Sequence, residues 1–299
     1  MIRCRGLVTL LAVFLVAPVF ADTTFDQSAL SIPMTDGSGA HLLLAGRLCL
    51  PEGAVKPRVA LLNHPNAIDP ASDRMIGCDS EQAQWFLARG FAVAFMQRRG
   101  FGATGGHQAD EPACGRARDP VLRAGLEGAR DVEATVAYLA TLPQLRHDGI
   151  VVQGLSAGGW ATVAFGALKD PRAAALMNFA GGRSCGDVGE VAAAAAALGG
   201  ASTTPMLWVY AANDLFFPPD FVAAFYKGYT KGGGKADYHP MPAYGETRND
   251  GHNFWNRKGA SAVWGPVVEA YLRERGVMDA DGKDAPLCER LLPAAHIGF

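Results

Sequence analysis

The chain has 299 residues, 49% of them hydrophobic, with a formal net charge of −2 and six cysteines. That length fits one large α/β domain or two small ones, and the apolar fraction is ample for a sizeable core. The near-neutral balance points away from nucleic acid and anionic membrane surfaces as partners.

The first residues read as a secretory signal. Arg3 and Arg5 precede an apolar run over 7–18, and Val19-Phe20-Ala21 offers small residues for cleavage after Ala21. The run is short for a membrane span, and Cys4 lies before it, which does not suit lipid attachment. A retained N-terminal anchor is the alternative. The expectation is a secreted or periplasmic protein whose mature chain has 25 basic and 29 acidic residues, net −4. Five cysteines then remain, without CxxC spacing or a paired His/Cys pattern, so no metal or other cofactor is expected. An oxidising compartment favours one or two disulfides, with Cys78–Cys114 the expected pair because both fall in loops after neighbouring strands.

Residues 28–34 and 41–50 read as antiparallel strands joined by a Gly-rich turn. A buried strand over 57–63 leads to the loop His64-Pro65-Asn66-Ala67. A helix over 81–89 and a strand over 91–96 follow, then a long Gly-rich loop over 97–118. Asp119-Pro120 opens a helix over roughly 121–142. Strands over 150–153, 173–179, 206–210 and 236–240 alternate with helices over 157–165, 187–198 and 219–231, and a closing helix covers 261–275. The tail 276–299 has no clear period. Apolar strands alternating with helices predict an α/β fold with a mostly parallel central sheet, helices on both faces and no large lid domain. No repeat or linker divides residues 22–299, so one domain is expected after the 1–21 signal.

The strand over 150–153 runs into Gly154-Leu155-Ser156-Ala157-Gly158 and then a helix. G-x-S-x-G in a sharp strand-to-helix turn lifts a serine clear of the sheet and leaves the next amide free to bind an oxyanion. Asp214 follows the strand over 206–210, and His252 lies in the loop after the last strand. Functional groups of open parallel sheets gather at the strand carboxyl ends. A serine needs a base to take its proton, and a carboxylate fixes the histidine tautomer. Ser156, Asp214 and His252 are therefore the candidate catalytic residues. Asp214 could instead cap the following helix, with Asp250 as the rival acid, and His64 is the runner-up base, better suited to a structural role. The Ala157 amide and the Asn66 amide, or that of Ala67, are the expected oxyanion donors.

Gly100-Phe101-Gly102-Ala103-Thr104-Gly105 matches G-x-G-x-x-G, but the following residues are poor helix material, so no dinucleotide site is expected there. Arg98 and Arg99 either meet an anionic substrate or pair with carboxylates. Trp160, Phe216 and Phe217 either line an acyl pocket or pack in the core.

The segments LLNHPNA (61–67), QRRGFGATGG (97–106), GLSAGGW (154–160), YAANDLFFPP (210–219) and DGHNFW (250–255) resemble the α/β-hydrolases, and within them the dienelactone-hydrolase and prolyl-oligopeptidase-like bacterial enzymes. The resemblance implies a Ser156/Asp214/His252 triad with oxyanion groups at Ala157 and near Asn66. His64-Pro65 stands where many relatives have His-Gly. Ser156 stands where dienelactone hydrolases proper use Cys, which argues against dienelactone as substrate. The expected activity is ester hydrolysis through an acyl-enzyme on a small-molecule substrate. The alternatives are a peptidase acting on short peptides and a non-catalytic binding protein on the same scaffold.

Overall fold

The computed structural model describes residues 23–111, 118–183 and 188–286. The expected signal at 1–21, Cys114 and the end of the tail lie outside them. The elements in chain order are β1 (Phe25–Thr35), β2 (His41–Pro51), β3 (Val59–Asn63), α1 (Glu81–Leu87), β4 (Ala92–Met96), α2 (Pro120–Leu139), β5 (Ile150–Leu155), α3 (Ala157–Gly166), β6 (Ala173–Phe179), α4 (Val188–Ala201), β7 (Met206–Ala211), α5 (Pro219–Gly232), β8 (Ala236–Met241), α6 (Arg248–His252) and α7 (Ser261–Glu274). The strands form one eight-stranded sheet in the order β1-β2-β4-β3-β5-β6-β7-β8. β1 and β2 are antiparallel to their neighbours, and β4 through β8 run parallel.

The inner strands are short apolar runs because both faces are covered. Every residue of β3, β4, β5 and β7 is buried. The chain moves from β3 to β4 in one direction and thereafter in the other. Right-handed crossovers then put α1 on one face and α2 to α5 on the other. α7 joins α1, with Trp85 and Trp264 packed at 5.2 Å between ring centres. The reversal leaves a crevice beyond the carboxyl ends of β3 and β5, where open sheets of this kind bind ligands.

Two expectations are corrected. Cys78 is bonded to Cys49 on β2 rather than to Cys114. The loop after β3 runs back along β2, where the Ile76 carbonyl accepts from the Arg47 guanidinium at 3.4 Å, so Cys78 arrives beside Cys49. His252 lies in the short helix α6, because Thr247 caps that turn reciprocally with Asp250. The start of the tail is anchored. Asp284 accepts from Arg58 and Arg146 below the sheet.

Candidate active site at the strand carboxyl ends

Ser156 has φ +56° and ψ −120°, a left-handed conformation costing about 1–3 kcal/mol for a residue with a side chain. The turn is over-determined. The Ser156 N–H donates to the Phe179 carbonyl at 3.0 Å, and the Ser156 carbonyl accepts from Trp160 at 3.0 Å and Gly182 at 3.3 Å. The motif glycines have no room for a side chain. A Cβ on Gly154 would lie 2.0 Å from the Gly158 carbonyl oxygen, and one on Gly158 would lie 2.4 Å from that of His64. The Ser156 turn is thus wedged against the loop after β3. Ala157 opens α3, so its amide is one of the first-turn donors that lack an intrahelical acceptor.

Asp214 and His252 are both buried, at 1% and 4% exposure. The His252 Nδ1 lies 2.9 Å from Oδ1 and 3.0 Å from Oδ2 of Asp214. A carboxylate only accepts, so Nδ1 carries the proton and Nε2 is the basic nitrogen. Oδ1 also accepts from the amides of Phe216 at 2.8 Å and Phe217 at 2.9 Å, which fixes the carboxylate within its own loop. Asp250, the rival acid, is engaged by Thr247 and lies 2.7 Å from Arg257. Two packing routes tie His252 to the serine turn. Phe254 and Trp255 stack on Phe179, whose carbonyl holds Ser156. The Phe217 ring, 5.7 Å from the imidazole, sits within 2.7 Å of where a Cβ on Gly182 would stand. Phe216 is 54% exposed and meets the imidazole edge-on at 4.7 Å, so it borders the open side of the site.

The other expected pocket residues are placed elsewhere. Trp160 is fully buried and donates its indole N–H to the Val121 carbonyl at 2.8 Å, so it is a core residue. Arg99 is bonded to Asp131 at 2.6 Å and Glu127 at 3.0 Å, which leaves it no charge to offer an anionic substrate. The segment from Gly100 to Gly105 forms a short turn around Gly102–Thr104, and Thr104 bridges β2 to Gln97 without opening an α-helix.

Asn66 lies in the loop after β3 with its side chain exposed. Its amide oxygen accepts from Arg98 at 3.4 Å, and its NH2 donates to Glu111 at 3.4 Å. Behind it lies a charge network in which Arg98 pairs with a carboxylate, the second of its two expected roles. Arg98 is fully buried and donates to Asp110 at 2.8 Å, Asn63 at 3.1 Å and the His64 carbonyl at 2.5 Å. Arg183, beside Gly182, donates to the same Asp110 oxygen at 2.6 Å. Burial raises the Asp110 carboxyl, but the two guanidiniums outweigh it and hold it below its ordinary 3.8. No spacing signal marks Arg183, because its partner lies 73 residues away. His64 is buried behind the Asn66 loop, where burial, with the Arg98 guanidinium adding to it, holds its pKa well below 6.5.

A model of the dienelactone hydrolase family matches residues 75–272. The chain belongs to the dienelactone hydrolase family. None of the curated proteins matches it. Among solved structures it is similar to Est1E from Butyrivibrio proteoclasticus, at 17% identity over 83% of this chain and 98% of that one, with TM-score 0.52. It is also similar to acetyl xylan esterase 1 from Thermoanaerobacterium sp., at 17% identity over 85% and 89% of the two chains, with TM-score 0.54. An acylaminoacyl peptidase from Pyrococcus horikoshii matches at 15% identity and TM-score 0.56, over 84% of this chain but 41% of the peptidase. These likenesses establish the α/β-hydrolase fold, and family membership makes the protein a hydrolase. Among the described residues no helix is long and apolar enough to cross a membrane.

Proposed function

We propose that this protein hydrolyses carboxylic esters of small molecules through an acyl-enzyme on Ser156. The observation that carries the reading is the hydrogen-bonded Asp214–His252 pair, at the same strand ends as a serine held in a strained turn. His252 Nε2 takes the Ser156 hydroxyl proton as Oγ attacks the ester carbonyl. Asp214 holds the tautomer and stabilises the imidazolium. The Ala157 and Asn66 amides receive the oxyanion. His252 returns the proton to the departing alcohol, and the same base then activates water to release the acid and regenerate Ser156. Phe216, on the open side of His252, borders the leaving group. Ser156→Ala is expected to lower ester turnover by about a thousandfold or more, and wild-type turnover in that variant would overturn the reading.

The same proposal extends to location. Residues 1–21 act as a cleaved export signal, and residues 22–299 form one catalytic domain in the periplasm or outside the cell. The Cys49–Cys78 disulfide supports an oxidising compartment. Intact mass of the exported protein is expected to begin at Asp22, and a chain that keeps Met1 would contradict this.

A further inference from the structure

His64 is buried behind the Asn66 loop and meets Phe101 edge-on at 4.7 Å. Each of its ring nitrogens has one hydrogen-bond partner, and the Asp73 carboxylate lies farther off, 3.9 Å from Nδ1. The Arg98 N–H donates to Nε2 at 3.0 Å, so Nε2 must be the bare nitrogen. The proton therefore sits on Nδ1, 2.6 Å from the Pro65 carbonyl oxygen, to which it donates. Burial keeps the ring neutral, and a doubly protonated ring would turn a donor toward the Arg98 amide.

That carbonyl belongs to the peptide whose N–H is Asn66. The peptide is trans, as are all those described, so its C=O and N–H point in opposite directions. β3 lies between β4 and β5. The imidazole is bonded to Arg98 in the loop after β4, so the Asn66 N–H is directed away from that ring, and the serine turn packs on the same loop as Asn66, a Cβ on Gly158 lying 2.4 Å from the His64 carbonyl oxygen.

We propose that His64 is a positioning residue that aims the Asn66 amide at the oxyanion by holding the Pro65 carbonyl turned back; this rests on the serine-hydrolase reading above. The arrangement gives a loop reading His-Pro a way to present its donor without a glycine.

The test compares two variants that each keep one of the two ring bonds. In His64→Asn the side-chain NH2 stands where Nδ1 stood and can still donate to the Pro65 carbonyl. In His64→Gln the amide oxygen reaches where Nε2 stood and keeps the Arg98 N–H bonded. Both lose the contact with Phe101, so thermal melts are expected to fall alike. On short-chain nitrophenyl esters, His64→Gln is expected to lose about a hundredfold in kcat with KM within about twofold, the size of one lost oxyanion donor. His64→Asn is expected to stay within about fivefold of wild type. A trifluoromethyl ketone, which forms the oxyanion on Ser156, should weaken in His64→Gln in proportion to kcat, whereas the matching methyl ketone should not. Equal kcat losses in the two variants, or none in either, would overturn the role of His64. Ser156→Ala run alongside separates the cases: its full activity would sink the serine reading itself, and its inactivity beside unchanged His64 variants would sink only this inference.

Discussion

In the proposed acid–base half of the site, the Asp214 carboxylate and the cap of α6 are set by bonds that span two or three residues, and the two segments meet through Asn213 and the Asp214–His252 bond across 31 to 38, whereas the proposed oxyanion half rests on buried guanidiniums. Asp214 is fixed by the amides of Phe216 and Phe217, and the helix that carries His252 by the reciprocal cap between Thr247 and Asp250. On the other side, Arg98 reaches Asn63 across 35 residues and Arg183 reaches Asp110 across 73. Local bonds form once the loop takes its shape. The long-range ones require the whole sheet to be assembled, and they bury charges, Arg98 against Asp110 and Arg183 against Asp110 and Glu111. The base side is therefore expected to tolerate change around it while depending steeply on its few named groups, and the buried ion pairs behind the proposed oxyanion donors to fail through stability.

The largest effect that would sharpen this contrast is at the acid. Asp214→Asn keeps the shape and offers Nδ1 the wrong partner, and kcat is expected to fall by about a thousandfold or more with the fold intact. Asp110→Leu is expected to do the opposite kind of damage. It leaves Arg98 and Arg183 buried without their shared carboxylate, at a cost of about 3–5 kcal/mol read as a lower denaturant midpoint. The same network sets an acid limit. Folding holds the Asp110 carboxyl below its ordinary 3.8, so its stabilising contribution is complete above that pH and is lost as the pH falls through the lower folded value. Denaturant melts in wild type and Asp110→Leu should converge in acid, and a constant gap would contradict the assignment. Next comes the disulfide. Replacing Cys49 and Cys78 by Ala frees a loop closed across 29 residues and is expected to cost about 3 kcal/mol. The smallest effect is at Asp250. Asp250→Asn removes half of the cap on α6 and is expected to cost about 1 kcal/mol while leaving kcat within about threefold. A large kcat loss there would break the comparison, because it would make Asp250 part of the chemistry.

Legibility in the sequence follows the same division. The serine turn was readable because its requirements are local: two glycines at fixed offsets, a β-branched strand before and a helix after. Asp214 stood out because it follows the apolar run of β7, whereas His252 follows β8, whose Ala-Asp-Tyr-His-Pro-Met carries no such run and is nowhere fully buried. The sheet order itself is more than the strand pattern states, since only crossover handedness and pairing place β4 outside β3. What stayed hidden depends on partners distant in sequence. Arg99 could have met a substrate or a carboxylate, and only the placement of Asp131 and Glu127 on α2 decides for the carboxylates. Trp160 looked like a pocket residue until α2 covered it. Cys78 could be matched to its partner only after the loop following β3 was known to return along β2.

The measurement that tests the central claim most directly is fluorophosphonate labelling of the purified protein, with the adduct mapped by mass spectrometry in wild type and in His252→Ala. A single adduct on Ser156, formed at least about a hundredfold more slowly in His252→Ala, is the result expected of a serine activated by the Asp214–His252 pair. An adduct on another residue, or labelling of Ser156 at the same rate in both proteins, would contradict it.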